Sequence, residues 1–307
     1  MSLKHKDSPP LSGQTPVIAK FIGKNIVVGT RDGILVVFIL KDGKYYQTRR
    51  VQGHNLTILS IAVPEDNSFV VTTSMEGKCL IFTPNETGLT FLREIQCKST
   101  IFPHAAVSRD GKTIAIAGHK GIVLIERNGQ LNQYNAGDDT IVDLTFYGPN
   151  DNQLILVGRH SITQFDLDSN VPINVLTLKG NDIKCHIHCV AANLSNQLVA
   201  VGTFNRFVEF YKFEGEPTKV GEVSIPHDRP GAMVKLIEMV EFTNDGRHLI
   251  VGSSNGSVSV IDVDNYTITE TKKFQRSRIF SVCISADDSE VISVSDDKTI
   301  YCLELVQ

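Results

Sequence analysis

The stretch HLIVGSSNGSVSVIDV, residues 248–263, decides the fold. Two arms rich in β-branched and aliphatic residues enclose Asn255-Gly256, and Asn-Gly between such arms is the strongest short-range signal of a β-hairpin. Six more hairpins of the same design run through the chain: NIVVGTRDGILVVFIL (25–40), SFVVTTSMEGKCLIFT (68–83), TIAIAGHKGIVLIE (113–126), LILVGRHSITQFDL (154–167), LVAVGTFNRFVEFYKF (198–213) and EVISVSDDKTIYCLEL (290–305). Their equivalent turn positions are Gly33, Gly77, Gly121, Ser161, Arg206, Gly256 and Lys298, and successive differences are 44, 44, 40, 45, 50 and 42 residues. Repetition near that period, with several short strands per unit, is the signature of a β-propeller rather than of a sandwich.

Each hairpin has a strand on either side. Ahead of it lies an apolar one, such as ILSIAV (58–63), IVDLTFY (141–147), IEMVEF (237–242) or IFSVCI (279–284); behind it lies a more polar one, such as FLREIQ (91–96) or TITETKKF (267–274). Four strands grading from apolar to polar fit a blade whose first strand lines a central channel and whose last faces solvent. No segment keeps a 3.6-residue period beyond ten residues, so helix is not expected.

Composition narrows the functional classes. Of 307 residues, 41% are hydrophobic and 21% charged, which suits a soluble globular chain, and the formal net charge of −4 argues against wholesale nucleic-acid binding. The basic residues Lys4, Lys6, Arg49-Arg50 and Lys272-Lys273 are scattered. The start of the chain, MSLKHKDSPPLSGQTP, has no apolar signal region, and the longest clean apolar run, ILVVFIL (34–40), is too short to span a bilayer as a helix. Membrane insertion is therefore not expected. Six cysteines without a secretory signal favour free thiols in a reducing compartment, cytoplasm or nucleus. On the same ground the Asn-x-Ser/Thr matches at Asn55, Asn85, Asn193, Asn255 and Asn265 are not expected to be glycosylated.

With these repeats in hand, the chain resembles the WD-repeat β-propeller family over essentially its whole length. The family's Gly-His occurs as Gly53-His54 in VQGHNLTILSIAV, and its turn aspartate as Asp297 in SVSDDKTIYCLEL. The Trp-Asp slot at the end of the third strand is filled by Phe38, Phe82, Ile125, Phe165-Asp166, Tyr211, Ile261-Asp262 and Leu303-Glu304. The chain has no tryptophan, so the family's His–Ser/Thr–Asp–Trp tetrad is nowhere complete. The resemblance implies an all-β chain, one seven-bladed propeller over residues 1–307 with four-stranded antiparallel blades. The last copy stops on its third strand, which leaves an edge that the segment 1–14 is expected to close, with residues 2–12 supplying the missing strand.

One stretch, KCHIHCV (184–190), has the look of a metal site, since zinc prefers thiolate and imidazole ligands. Placed in the repeat, residues 186–192 form the inner strand of blade five. Strict alternation then sets Cys185, Ile187 and Cys189 on one side and His186, His188 and Val190 on the other. Four ligands on one extended strand cannot converge on a tetrahedral ion; only His186 and His188, about 7 Å apart, share a side. The cysteines read as small hydrophobes packed between blades, as does Cys283. No metal or cofactor is expected. The chain has no Gly-x-Ser-x-Gly, phosphate loop, His-Glu-x-x-His or EF-hand motif, and Asp138-Asp139, Asp287-Asp288 and Asp296-Asp297 read as solvated turns.

Function is expected on a rim of loops. In WD-repeat proteins a favoured contact residue lies two before the hairpin glycine on the top face, which here implies Arg31, Met75, His119, Arg159, Phe204, Ser254 and Asp296. A second favoured position, at the start of the inner strand, implies Leu59, His188 and Phe280, with Arg278 two residues earlier. Turns ordinarily carry Ser, Asp, Asn and Gly, whereas Arg, Met, Phe and His are enriched at interface hot spots. Arg31, Arg159 and Arg278 also suit a carboxylate or phosphate of a bound peptide. A longer connection, PHDRPGAM (226–233), adds Arg229 to the same face. The expectation is a non-enzymatic scaffold or adaptor, a monomer within a hetero-complex, binding one or more proteins and not nucleic acid directly. Its compact size is similar to the propeller subunit of the superkiller mRNA-decay complex, so an RNA-processing complex subunit is one alternative; a propeller hydrolase or lactonase holding a channel metal is another.

Overall fold

A computed structural model describes residues 1–97, 103–178, 186–193, 197–226 and 236–306. They form seven four-stranded antiparallel sheets. The inner strands are Pro16–Ile22, Ile58–Ala62, His104–Val107, Ile141–Tyr147, Ile187–Asn193, Ile237–Phe242 and Ile279–Ile284. Each packs against the next and the last against the first, so the sheets close a ring, a seven-bladed β-propeller. Among the described residues the one helical element is a 3-10 turn, His119–Gly121.

The core is seven slabs, one between each pair of neighbouring blades. Both faces of every blade are therefore buried, which is why second strands such as Asn25–Thr30 and Leu198–Thr203 are nearly all apolar. At three junctions a glycine of one blade lies under an isoleucine of the next. A Cβ added to Gly29, Gly202 or Gly252 would stand 2.8, 2.6 or 2.9 Å from Cγ2 of Ile58, Ile237 or Ile279. The backbone approaches that closely only because these positions have no side chain.

The third-strand slot points into the junction with the preceding blade for Phe38, Phe82, Phe165, Tyr211, Ile261 and Leu303. Blade three corrects the sequence reading. Its register pairs Ile114 with Glu126, as Ile26 pairs with Phe38 and Val70 with Phe82, so Glu126 and not Ile125 holds the slot. Ile125 faces blade four instead. Glu126 is buried and takes both guanidinium arms of Arg93 from blade two's outer strand, at 2.9 and 2.5 Å. A charge-assisted fork replaces an aromatic ring at this junction.

Six of the seven inner strands begin with a β-bulge, the extra residue being Val17, Leu59, Val142, His188, Glu238 or Phe280. The residue after the bulge then reaches across to the next blade. Ser60 Oγ accepts the Ala105 N–H at 2.9 Å, Asp143 Oδ2 accepts the Val190 N–H at 2.9 Å, and Ser281 Oγ accepts the Ala19 N–H at 3.5 Å. Such bonds are worth about 0.5–1.5 kcal/mol each. Deeper in the channel Met239 of blade six touches the slab between blades one and two, and Lys20 Nζ donates to Glu241 Oε2 at 2.5 Å. Side chains of blades one and six thus meet across the middle of the ring. Burial pushes Asp143 up to about 6, opposed by the Val190 and Leu144 N–H groups and by the charges of His188 and Lys20. Burial likewise pulls His104 down to about 4, with His188 adding to the effect.

The opposite face is stitched at six of the seven junctions. Gly23 N–H donates to Asn67 Oδ1, Glu65 N–H to Arg109 O, Arg109 N–H to Asp151 Oδ2, Tyr147 O–H to Gln197 O, Asn193 Nδ2 to Gly246 O, and Asn244 N–H to Asp288 Oδ1. Those bonds join blades one through seven in order. The seventh junction is closed differently. Ser2–Asp7 pairs antiparallel with Ile300–Val306 as the outer strand of blade seven, as expected from the sequence, although the strand ends at Asp7 rather than at residue 12. Glu290 of that blade, buried, accepts from Lys6 of the added strand and from the Tyr45 hydroxyl of blade one at 2.7 Å, while Asp7 accepts the Tyr45 N–H. Leu3 is fully buried against blade six.

Deleting residues 1–8 is expected to cost on the order of 5 kcal/mol, from exposure of the Leu3 pocket and loss of the Glu290 clamp. Thermal unfolding should show a drop of about 10 °C; a truncated chain as stable as the full one would overturn the closure role. Glu290→Ala alone should cost about 2–4 kcal/mol in urea unfolding, because Lys6 and the Tyr45 hydroxyl lose their buried acceptor.

The channel pair makes a pH prediction. Asp143 keeps its proton to about pH 6 in the fold but only to 3.8 in the unfolded chain, so its stabilisation is complete below 3.8 and gone once the pH has risen through 6. His104 does the reverse: its contribution is present above 6.5 and disappears as the pH falls through about 4. Between pH 4 and 6 the two oppose each other. Asp143→Asn should make stability rise with pH across that window, and His104→Gln should make it fall, each by on the order of 2 kcal/mol. Urea midpoints at pH 4, 5 and 6 measure this; parallel profiles for both variants and wild type would refute it.

Candidate protein-binding face

The hairpin turns and the connections from each outer strand to the next inner strand emerge on one face. The turn residues are tied down there by backbone bonds within their own blades. Arg31, Met75, Phe204, Ser254 and Asp296 donate their N–H groups to the carbonyls of Thr15, Thr57, His186, Leu236 and Arg278, at 2.9–3.0 Å. Each acceptor lies just ahead of an inner strand, so the bulge residue that follows is brought beside the turn. Bulges re-aim a side chain out of the strand's alternation. Leu59, His188 and Phe280, expected as contact residues, are all bulge residues, and Glu238 and Val142 occupy the same place in blades six and four.

Five blades contribute to one connected run of side chains. Asp296 Oδ1 of blade seven accepts from Arg31 Nη2 of blade one at 2.9 Å. The Arg31 guanidinium lies 5.7 Å from the Phe280 ring centroid, and that of Arg278 lies 5.2 Å from it. Arg278 Nη2 donates to Glu238 Oε2 of blade six at 2.7 Å, and its Nε ion-pairs with Oε1 outside hydrogen-bonding geometry. His188 Nε2 of blade five stands 3.4 Å from the same carboxylate. The His188 ring meets Phe204 edge-on at 5.6 Å, Phe204 meets His186 at 5.8 Å, and His186 meets His160 of blade four at 4.4 Å. Glu238 is the hub: 3% exposed, it holds one aromatic-bearing neighbour on each side.

The remaining expected residues sit around this run. Met75 and Leu56 of blade two expose apolar surface next to Arg31, whose carbonyl accepts from Thr57 Oγ1 at 3.0 Å. Arg159 is exposed on the turn of blade four, and Leu59 is half-buried at the mouth of blade two. His119 is half-buried, with Nδ1 3.2 Å from Thr140 Oγ1, and stands apart from the run. Arg229 and most of the connection 226–233 lie outside the described residues. Sequence reasoning missed Glu238 and His160. Glu238 had a signal: Ile58-Leu59, Ile141-Val142, Ile187-His188, Ile237-Glu238 and Ile279-Phe280 share an isoleucine directly ahead of the bulge residue.

The bulge also corrects the reading of KCHIHCV. Ile187 pairs with Thr203 and Cys189 with Gly202, so His188 is the unpaired extra residue and strict alternation fails. Ile187 and Val190 face blade four, while Cys189 faces blade six. His186 and His188 both meet Phe204 edge-on but have separate further partners, His160 and Glu238. Cys185 lies outside the described residues. Among the described residues no three His, Cys, Asp or Glu side chains form a group able to hold a metal ion.

Two junctions carry side-chain constellations near the turns. In blade two, His54 Nε2 lies 2.8 Å from Thr72 Oγ1 and Nδ1 3.0 Å from Glu76 Oε1. Burial holds His54 below its ordinary pKa against the pull of Glu76. In blade seven Gln275 takes the histidine's place: Ser293 Oγ donates to Gln275 Oε1 at 3.0 Å, and Asp297 Oδ2 accepts the Arg276 N–H at 2.7 Å. Comparison with known proteins picks out these same repeats. The WD domain, G-beta repeat family model matches residues 45–83 and 268–302. Each span takes the outer strand of one blade and three strands of the next. The WD repeat domain-containing protein 83 homolog of Dictyostelium discoideum is 31% identical over 72 residues, 23% of this chain and 22% of that protein's length. The closed ring of seven four-stranded blades makes the chain a β-propeller, and two of its repeats match the WD domain, G-beta repeat model.

Proposed function

We propose that the protein is a non-enzymatic scaffold that binds a partner protein through the turn-bearing face, as a subunit of a larger complex in the cytoplasm or nucleus. The run from Asp296 and Arg31 to His160 carries this reading, because it joins five blades through residues of the types that dominate interface hot spots. Its members are already held by one another and by backbone bonds, so docking a loop or peptide costs little ordering entropy. Met239 reaching across the channel and Lys20 paired to Glu241 favour a surface function over chemistry inside the ring.

The test is a tagged pull-down from native lysate with quantitative mass spectrometry. Wild type runs beside Arg31→Glu/Phe204→Ala/Phe280→Ala, with circular dichroism confirming that both fold. Partners present with wild type and reduced at least about ten-fold with the variant, some 1.4 kcal/mol or more, support the reading. Identical partner sets on both baits would assign binding to another face.

A further inference from the structure

We infer that the rim between Arg31 and Arg278 receives an acidic side chain from an extended partner segment, seated over Phe280 beside an apolar residue of the same segment. This rests on the docking-face reading and supplies the partner's chemistry.

Two guanidiniums from different blades lie against one phenyl ring, Arg31 at 5.7 Å and Arg278 at 5.2 Å from its centroid. Each is attracted by the ring, but two like charges sharing it repel, so each needs a counter-charge. The two counter-charges differ in kind. Glu238 is buried, grips Arg278 and is shared with His188; removing it from Arg278 would strand a desolvated carboxylate. Asp296 sits on a turn, and in its pair with Arg31 the side chains are 41% and 53% exposed. Pairs of that sort are worth about 0–1 kcal/mol and exchange readily. Arg278 is therefore a fixed part of the floor, and Arg31 is the cation whose partner can be replaced.

The neighbouring charges favour the same sign of ligand. Arg159 and Lys298 are exposed on the turns of blades four and seven. The acids beside them are committed to their own turns: Asp139 accepts from Thr140, His160 and Ser161, and Asp297 from Arg276 and Thr299. On a chain of net charge −4, Arg31, Arg159 and Lys298 give this rim three exposed cations, offset in part by the exposed Asp32 and Asp138. Adjoining Arg31, Leu56 and Met75 are 50% and 41% exposed and offer an apolar seat one residue away from the acid. A partner carboxylate that displaces Asp296 gains the Arg31 fork beside the half-buried Phe280 ring.

A random dodecapeptide library displayed on phage tests this against the full chain, with Arg31→Gln, Asp296→Asn and Phe204→Ala/Phe280→Ala run in parallel after circular dichroism. Wild type should select sequences with Asp or Glu next to Leu, Ile, Phe or Met. Synthetic versions should bind Arg31→Gln about ten-fold more weakly, lose affinity with added salt, and bind Asp296→Asn a few-fold more tightly, since the internal competitor is gone. Neutral or basic consensus sequences, or equal binding to Arg31→Gln, overturn the inference. If such sequences still fail on the double phenylalanine variant, the docking face stands and only its acidic preference falls. Peptides indifferent to every variant, or no selection at all, count against both.

Discussion

Everything in this ring depends on how closely one blade's inner strand can lie against its neighbour's second strand. At three of the seven junctions the contact is a branched side chain over bare backbone: Ile58 over Gly29, Ile237 over Gly202 and Ile279 over Gly252. Seven wedges must add up to a full turn, so an extra methyl at one junction cannot be absorbed locally and is passed round the circle. The bulge that follows each isoleucine is part of the same geometry. It kinks the strand as it leaves the junction, sends the next side chain towards the mouth, and lets Ser60, Asp143 or Ser281 cap the next blade's amide.

That coupling explains why the mouth is both rigid and chemically varied. The isoleucine before the bulge is buried in the junction, whereas the bulge residues Leu59, Val142, His188 and Phe280 are only half-buried, so the chemistry at that place varies from blade to blade. In blade six the place is taken by a carboxylate, which gathers Arg278 from one side and His188 from the other. A group buried to that degree would be destabilising if left alone; shared between the Arg278 guanidinium and the His188 ring it becomes a brace for Phe280 and Phe204. Replacing Arg278 would therefore disturb shape as well as charge.

The architecture was legible because hairpin turns repeat: six of the seven turn positions adopt left-handed backbone, Arg206 and Lys298 included, and Ser161 does not because its hairpin is one residue shorter. The closing strand was legible from an unfinished last repeat. The errors have different sources. Bulges and register cannot be read from period two alone, so the sides assigned to Ile187 and Cys189 came out wrong. In blade three, apolar character pointed to Ile125, whereas the five-residue step from the turn glycine, the same as from Gly33 to Phe38 and from Gly77 to Phe82, points to Glu126. Of the mouth, the turn residues were readable from spacing; Glu238 was not sought, because a buried acid at a contact position runs against composition-based expectation.

Closure by the first strand also sets an order of events. Leu3 pairs with Leu305, a contact between the earliest and the latest parts of the ring. During synthesis at roughly 5–20 residues per second, the strand waits roughly 15–60 s for its partner. An apolar strand left unpaired that long is an invitation to aggregate. The sequence that waits is SLKHKD, in which Leu3 is the single large apolar residue among Lys4, His5, Lys6 and Asp7. It stays in water until blade seven arrives, and the same lysine that kept it soluble then becomes half of the latch on Glu290.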